Sequence, residues 1–131
     1  LIEQNNKALN EICLVARTHD LLKQYEGALK AKGKETYFIR RSEAEDRRKP
    51  GIRLATMHRV KGLEFDRVII AGVNDGIVPL RGEWLKTNDA VIQSENDIHE
   101  RALLYVAATR AKKEVVVTSF GKDSKFLRHK T

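Results

Sequence analysis

Two uninterrupted apolar runs, ICLVA (Ile12 to Ala16) and VIIAGV (Val68 to Val73), constrain this chain more than any other feature. A half-exposed strand alternates apolar and polar residues, because successive side chains point to opposite faces. A strand that is apolar on both sides is covered on both sides, which is the signature of a parallel sheet with helices packed above and below it. Parallel neighbours cannot be joined by tight turns, so such a chain needs crossover segments between its strands.

The rest of the sequence meets that need. EICLVA (Glu11 to Ala16) is the first strand. Thr18 and Asp20 can each cap a helix, and Leu21, Leu22, Tyr25, Ala28 and Leu29 recur at helical spacing until Gly33. ETYFI (Glu35 to Ile39) is β-rich, and the charged SEAEDRRKPG after it reads as a solvated connection. IRLATM is a third strand by alternation, and DRVIIAGV (Asp66 to Val73) a fourth. Asn74 to Ser94, punctuated by Gly76, Pro79 and Gly82, reads as a long irregular segment, a length that compact domains usually reserve for function. Ser94 and Asp97 have capping-box spacing, so a helix is expected from Ile98 to Arg110, apolar on most sides as a buried crossover would be. EVVVTS (Glu114 to Ser119) is a fifth strand, and the basic tail GKDSKFLRHKT can add a short helical turn. The expected fold class is α/β, a three-layer domain with a mainly parallel sheet of about five strands. At 131 residues it is a single domain.

Composition narrows the partners. Lys and Arg total 25 against 18 Asp and Glu, a formal charge of +7 that suggests an anionic partner. Cys13 is the one cysteine, so no internal disulfide can form and a reducing, cytoplasmic setting is expected. No apolar run approaches the roughly 18 residues of a membrane span, and no signal peptide opens the chain; no membrane partner is expected. The opening LIEQNN, without a methionine, suggests a piece of something longer. The four histidines are scattered without ligand spacing, so no metal site is expected. A phosphate-binding loop needs a glycine, four residues, then Gly-Lys-Ser/Thr. Gly33-Lys34 is followed by Glu35 and Gly121-Lys122 by Asp123, so the chain holds no such loop, and it holds no G-x-G-x-x-G element either.

Charge nevertheless gathers where the strands end. Arg17 and Thr18 follow the first strand, Thr56 to Glu64 the third, and Asn74 and Asp75 the fourth. Parallel α/β sheets bind ligands beyond the carboxyl ends of their strands, and these residues are expected along one such rim.

TMHRVKGLEFDRVII, followed after a gap by ERALLYVAATRAKKEVVVTS, resembles motifs V and VI of superfamily 1 DNA helicases of the UvrD, PcrA and Rep type. LVARTHDLLKQYEGALKAKGKETYFI resembles motif IV of the same family, more loosely. The resemblance covers most of the chain from Cys13 to Ser119, and the ordered pair T-x-H-x-x-K-G-L-E-F and Y-V-A-x-T-R-A is highly specific. It implies that residues 1–131 are the second RecA-like lobe of such a motor. The first lobe would hold ATP and its Mg2+, and would be the partner of this one.

By the same resemblance, Arg110 matches the arginine finger that reaches the γ-phosphate, and Arg17 a motif IV arginine that meets that phosphate from a second direction. Glu64 matches the glutamate that bonds the nucleotide ribose, and Gly62 would permit close backbone approach. Thr56 and His58 match contacts to the backbone of single-stranded DNA, while Lys61 would support the loop. Arg101 and Tyr105 match motif VI on a helix read as buried, where a structural role is favoured. Taken singly, Arg110 could equally serve its helix C-terminus and Glu64 could pair with Lys61 or Arg67.

Three positions depart from the family pattern. Ala16 stands where a tyrosine usually stacks on adenine, and Arg59 and Val60 replace small or polar residues in motif V, Arg59 adding a candidate DNA phosphate contact. Only the short linker between about residues 40 and 51 occupies the place of an accessory subdomain. The resulting expectation is the motor lobe of an ATP-dependent DNA helicase, an ATP hydrolase when joined to its first lobe and inactive alone. The alternative is a non-catalytic DNA- or protein-binding module derived from such a lobe.

Overall fold

A computed structural model describes residues 6–39, 49–74, 77–78, 89–119, 122 and 124–127. Five strands form one sheet: β1 (Ile12–Ala16), β2 (Thr36–Phe38), β3 (Ile52–Thr56), β4 (Phe65–Ile70) and β5 (Ala111–Val117). Their order is β2-β3-β1-β4-β5 and every adjacent pair is parallel. Among the described residues, two helices, α1 (His19–Ala31) and α2 (Ala90–Ala108), accompany the sheet, with short 3-10 turns at Asn6–Glu11 and Lys125–Leu127. The expected α/β, RecA-like class is the one observed.

The alternation of side chains along each strand divides the core in two. Ile12, Leu14 and Ala16 of β1 join Ile52 and Leu54 of β3 on the face that α1 covers with Leu21 and Leu22. Cys13 and Val15 face the other way with Val68 and Ile70 of β4, under Ala107 of α2. All five residues of β1 are buried, as its uninterrupted apolar run requires. Thr18 caps α1 as expected: its Oγ1 accepts from the N–H of Leu21 at 3.2 Å.

Two boundaries differ from the sequence expectation. α2 begins at Ala90, not Ile98, because Asp89 is the cap: its Oδ1 accepts from the N–H groups of Val91 (2.9 Å) and Ile92 (3.3 Å). Ser94 and Asp97 therefore lie inside the helix, and the irregular segment is shorter than Asn74 to Ser94. Residues 75–76 and 79–88 of that segment, with Asp75, and most of the 40–51 linker fall outside the described residues. α2 is also less covered than its composition suggested: Ile98 and Tyr105 are each 69% exposed, and among its described residues only Glu100 and Ala107 are buried. It packs on β4 and on β5, the edge strand, so one face alone meets the sheet.

β5 starts at Ala111, three residues ahead of Glu114. An edge strand is wet on its outer side and admits charge. Lys112 and Lys113 enter it and flank Asp66 of β4, at 3.7 and 3.4 Å.

Two glycines respond oppositely to a methyl group. Gly51 has φ +121°, and a Cβ there would lie 2.9 Å from the backbone N of Thr36, so Gly51→Ala should destabilise by about 2 kcal/mol. Gly27 lies in α1 with nothing within 4 Å of its Cβ position, so Gly27→Ala should stabilise by about 1 kcal/mol. Urea unfolding of the two variants checks both signs, and equal shifts would contradict the backbone placement at Gly51.

Candidate nucleotide and nucleic-acid site

The site is built where strands stop. Ala16 ends β1 and Thr18 begins the capping of α1, so Arg17 between them is fixed at both flanks: the Ala16 carbonyl accepts from Met57 N–H (3.0 Å) and that of Thr18 from Leu22 N–H (3.2 Å). The side chain of Arg17 runs to Glu100 of α2. Its Nε donates to Oε1 at 2.9 Å and its Nη2 to Oε2 at 2.8 Å, a two-point pair with side-chain exposures of 13% for Arg17 and 2% for Glu100. This fork-to-fork geometry fixes a guanidinium more firmly than a single bond can.

The segment after β3 is a helical turn. The N–H groups of Arg59 and Val60 donate to the Thr56 carbonyl (3.1 and 3.0 Å), and Arg59 N–H also meets Thr56 Oγ1 at 3.2 Å. Met57 and Val60 are both fully buried and anchor the turn in the core. His58 and Lys61, one turn apart on the outer side, are exposed, and Arg59 is half-buried. Val60, a departure from the family pattern, is thus a packing residue. Gly62 turns the chain at φ +83° with nothing within 4 Å of its Cβ position. Its backbone conformation, not close approach of another part of this chain, accounts for glycine there.

The turn then delivers the chain to the start of β4. Phe65 N–H donates to the carbonyl of Arg110 at 2.9 Å, and Phe65 pairs in register with Ala111. Glu64, which is exposed, and Arg110, which is half-buried, therefore lie side by side at the amino ends of β4 and β5. Arg17 and Thr56 sit at the carboxyl ends of β1 and β3, where Ala16 and Thr56 are register partners. The expectation of one rim is corrected: the loop from Thr56 to Glu64 starts at one edge of the sheet and finishes at the other, because β3 and β4 are parallel. The two arginines enter from opposite ends.

α2 links those ends. His99, Leu103, Val106 and Arg110 recur at helical spacing on one side of it, and with His58 and Lys61 the first three line a groove of about 280 Å3. The rings of His58 and His99 are 6.4 Å apart. The Arg110 side chain folds back along the last turn, its Nε donating to the Val106 carbonyl and its Nη2 to Thr109 Oγ1, each at 3.2 Å. At 1.5 Å per residue, Val106 lies only about 9 Å along the helix from Glu100. Arg101 and Tyr105, expected on a buried helix, are exposed; Arg101 stacks 4.9 Å over Phe126. Ala16 is fully buried and offers no surface to a base.

Glu100 and His99 were not singled out by sequence. The signal was present for Glu100, the sole carboxylate between Ile98 and Ala111, which shares a helical face with Leu103, Leu104 and Ala107. Among the described residues no three His, Cys, Asp or Glu side chains gather as a metal set, and no helix is long and apolar enough to cross a membrane.

A family model described as the UvrD-like helicase C-terminal domain matches residues 3–122. The ATP-dependent DNA helicase Rep of Buchnera aphidicola is 43% identical over 67 residues, which are 51% of this chain and 9% of that protein. Rep of Escherichia coli is 37% identical over 67 residues, with the same two shares of 51% and 9%. The chain thus spans about a tenth of the length of these relatives. A crystal structure of the C-terminal domain of a possible DNA helicase from Lactobacillus plantarum superposes with a TM-score of 0.65 at 25% identity, over 89% of this chain and 60% of that one. Motif order, the parallel sheet and these matches agree, and the chain belongs to the UvrD-like helicase C-terminal domain family.

Proposed function

We propose that this chain is the C-terminal motor lobe of an ATP-dependent DNA helicase or translocase. In this reading it supplies arginine fingers to ATP held by a first lobe, and it grips single-stranded DNA. The observation that carries the reading is the bond between Phe65 N–H and the Arg110 carbonyl. It joins the motif that ends in Glu64 to the motif that ends in Arg110, so a carboxylate and a guanidinium from distant parts of the sequence share one edge.

The residues present fit a nucleotide triphosphate. Glu64 is an exposed acceptor suited to ribose hydroxyls. Arg110 is held within its own helical turn by two long bonds to uncharged acceptors, which shorter bonds to anionic phosphate oxygens can replace. Glu100 takes two of the five Arg17 N–H donors, and the other three have no partner among the described residues. When bound, ATP with Mg2+ supplies the phosphoryl group whose developing charge these arginines stabilise. Thr56 and His58 stand at the start of the loop and Glu64 at its end, so a shift of the DNA contacts is transmitted through one buried turn to the nucleotide edge.

In the parent protein, with its first lobe present, Arg110→Ala should lower kcat for DNA-stimulated ATP hydrolysis by about 10³-fold or more, and Arg17→Ala should also lower it. Variants that turn over like the parent would instead identify a binding module. The isolated 131-residue chain should show no ATPase activity. Measured turnover there, abolished by Arg110→Ala, would overturn the two-lobe reading.

Affinity for single-stranded DNA gives a separate check. If Arg59 meets one phosphate, Arg59→Ala should reduce the magnitude of the slope of log K against log salt by about 0.7. An unchanged slope removes Arg59 from the DNA surface.

A further inference from the structure

We propose that Glu100 is the positioning residue for Arg17, tying the arginine at the end of β1 to the helix that carries Arg110, so that both guanidinium groups move as one body. The inference rests on the reading above in which Arg17 meets the nucleotide phosphates. It goes beyond that reading by assigning a role to a residue outside the site.

Toward the C-terminus of α2 the face that carries Glu100 is apolar, with Leu103, Leu104 and Ala107 in the core cluster. Its carboxylate meets Arg17 through both oxygens at 2.9 and 2.8 Å. An arginine otherwise samples many rotamers, and ordering one at the moment of reaction costs conformational entropy. Here the backbone of Arg17 is set by the β1 end and the α1 cap, and its guanidinium plane is set by Glu100. The Nη1 edge and one N–H of Nη2 are left to point elsewhere. An orientation prepared in advance is the kind of feature that accelerates a charge-stabilising step.

The tie also answers the geometry of opposite ends. Arg17 and Arg110 leave the sheet from different edges, yet both are referred to α2: Arg110 as its extension, Arg17 through Glu100. A rigid helix turn between them keeps their separation fixed when the lobe swings. Lysine at position 17 could not serve, since a single ammonium cannot engage both carboxylate oxygens in a plane and still present a fixed donor edge.

The test is steady-state, DNA-stimulated ATPase of the parent protein with Arg17→Ala, Arg17→Lys, Glu100→Gln and the Arg17→Ala/Glu100→Gln double variant, with thermal unfolding of each. Glu100→Gln should lower kcat about 10-fold or more while KM for ATP moves less than about twofold. In the Arg17→Ala background the same change should alter kcat by less than about twofold, because its target is gone. Arg17→Lys, which keeps the charge and the fold but loses the fork, should fall close to Arg17→Ala. If Glu100→Gln multiplies the defect of Arg17→Ala, or raises kcat, or if Arg17→Lys retains full turnover, the positioning role is overturned while the motor reading stands. If Arg17→Ala itself leaves kcat unchanged, the assignment of Arg17 to the phosphates fails, and this inference with it.

Discussion

The burial of β1 on both faces is the constraint from which the rest follows. It is central in the sheet, and its five residues carry no polar side chain that could act on a ligand. Chemistry is therefore displaced to the first position beyond it, Arg17, and to the chain that crosses it between β3 and β4. The backbone of β1 still organises that neighbourhood: the carbonyl of Ala16 accepts from Met57 and brings the motif after β3 against the arginine after β1. A central strand that is chemically inert thus fixes the relative position of two segments that are not.

The crossing loop is short for a parallel connection. Met57, Val60 and Phe65 stand in for the apolar face of a crossover helix, and all three join the cluster under α2. Its outer residues, His58 and Lys61, lie along α2 beside His99. Loop and helix therefore descend together from the carboxyl edge to the amino edge, and their ends meet at the pairing of Phe65 with Ala111. A DNA contact at one end and a nucleotide contact at the other would be joined by a packed turn instead of a flexible linker, which is what coupling between two sites demands.

Much of this was legible because the physics is local. Two-sided burial writes continuous apolar runs, and caps such as Thr18 sit next to the helices they start. The misread parts depend on context that a sequence window does not contain. Asp89 caps α2, but the capping-box spacing of Ser94 and Asp97 a few residues later competes with it as the signal for the start. Ala111 to Lys113 enter a strand through pairing with β4, where Phe65 meets Ala111 and Lys112 and Lys113 reach Asp66. Alternation in IRLAT sets Arg53 opposite Ile52 and Leu54 as if toward water. It is instead fully buried, donating to the carbonyls of Lys49 and Gly51 with its guanidinium 4.7 Å over the Tyr37 ring. The single rim failed for a reason of direction: in a parallel sheet a connection leaves from the carboxyl ends and returns at the amino ends, so Thr56 and Glu64, the two ends of one loop, cannot share a rim.

Stability alone does not account for the Arg17 and Glu100 pair. Removing two charges from water costs several kcal/mol per ion in real proteins, and the attraction regained in the interior often only offsets it. Replacing a buried ion pair by apolar residues of similar volume is often neutral or stabilising. What such residues could not provide is direction. The pair spans from the end of a buried strand to the middle of a half-exposed helix, and among the described residues it leaves three N–H donors of Arg17 uncommitted. A buried pair, a kind of contact whose attraction often only offsets its desolvation, is better explained here by what the plane it fixes must face.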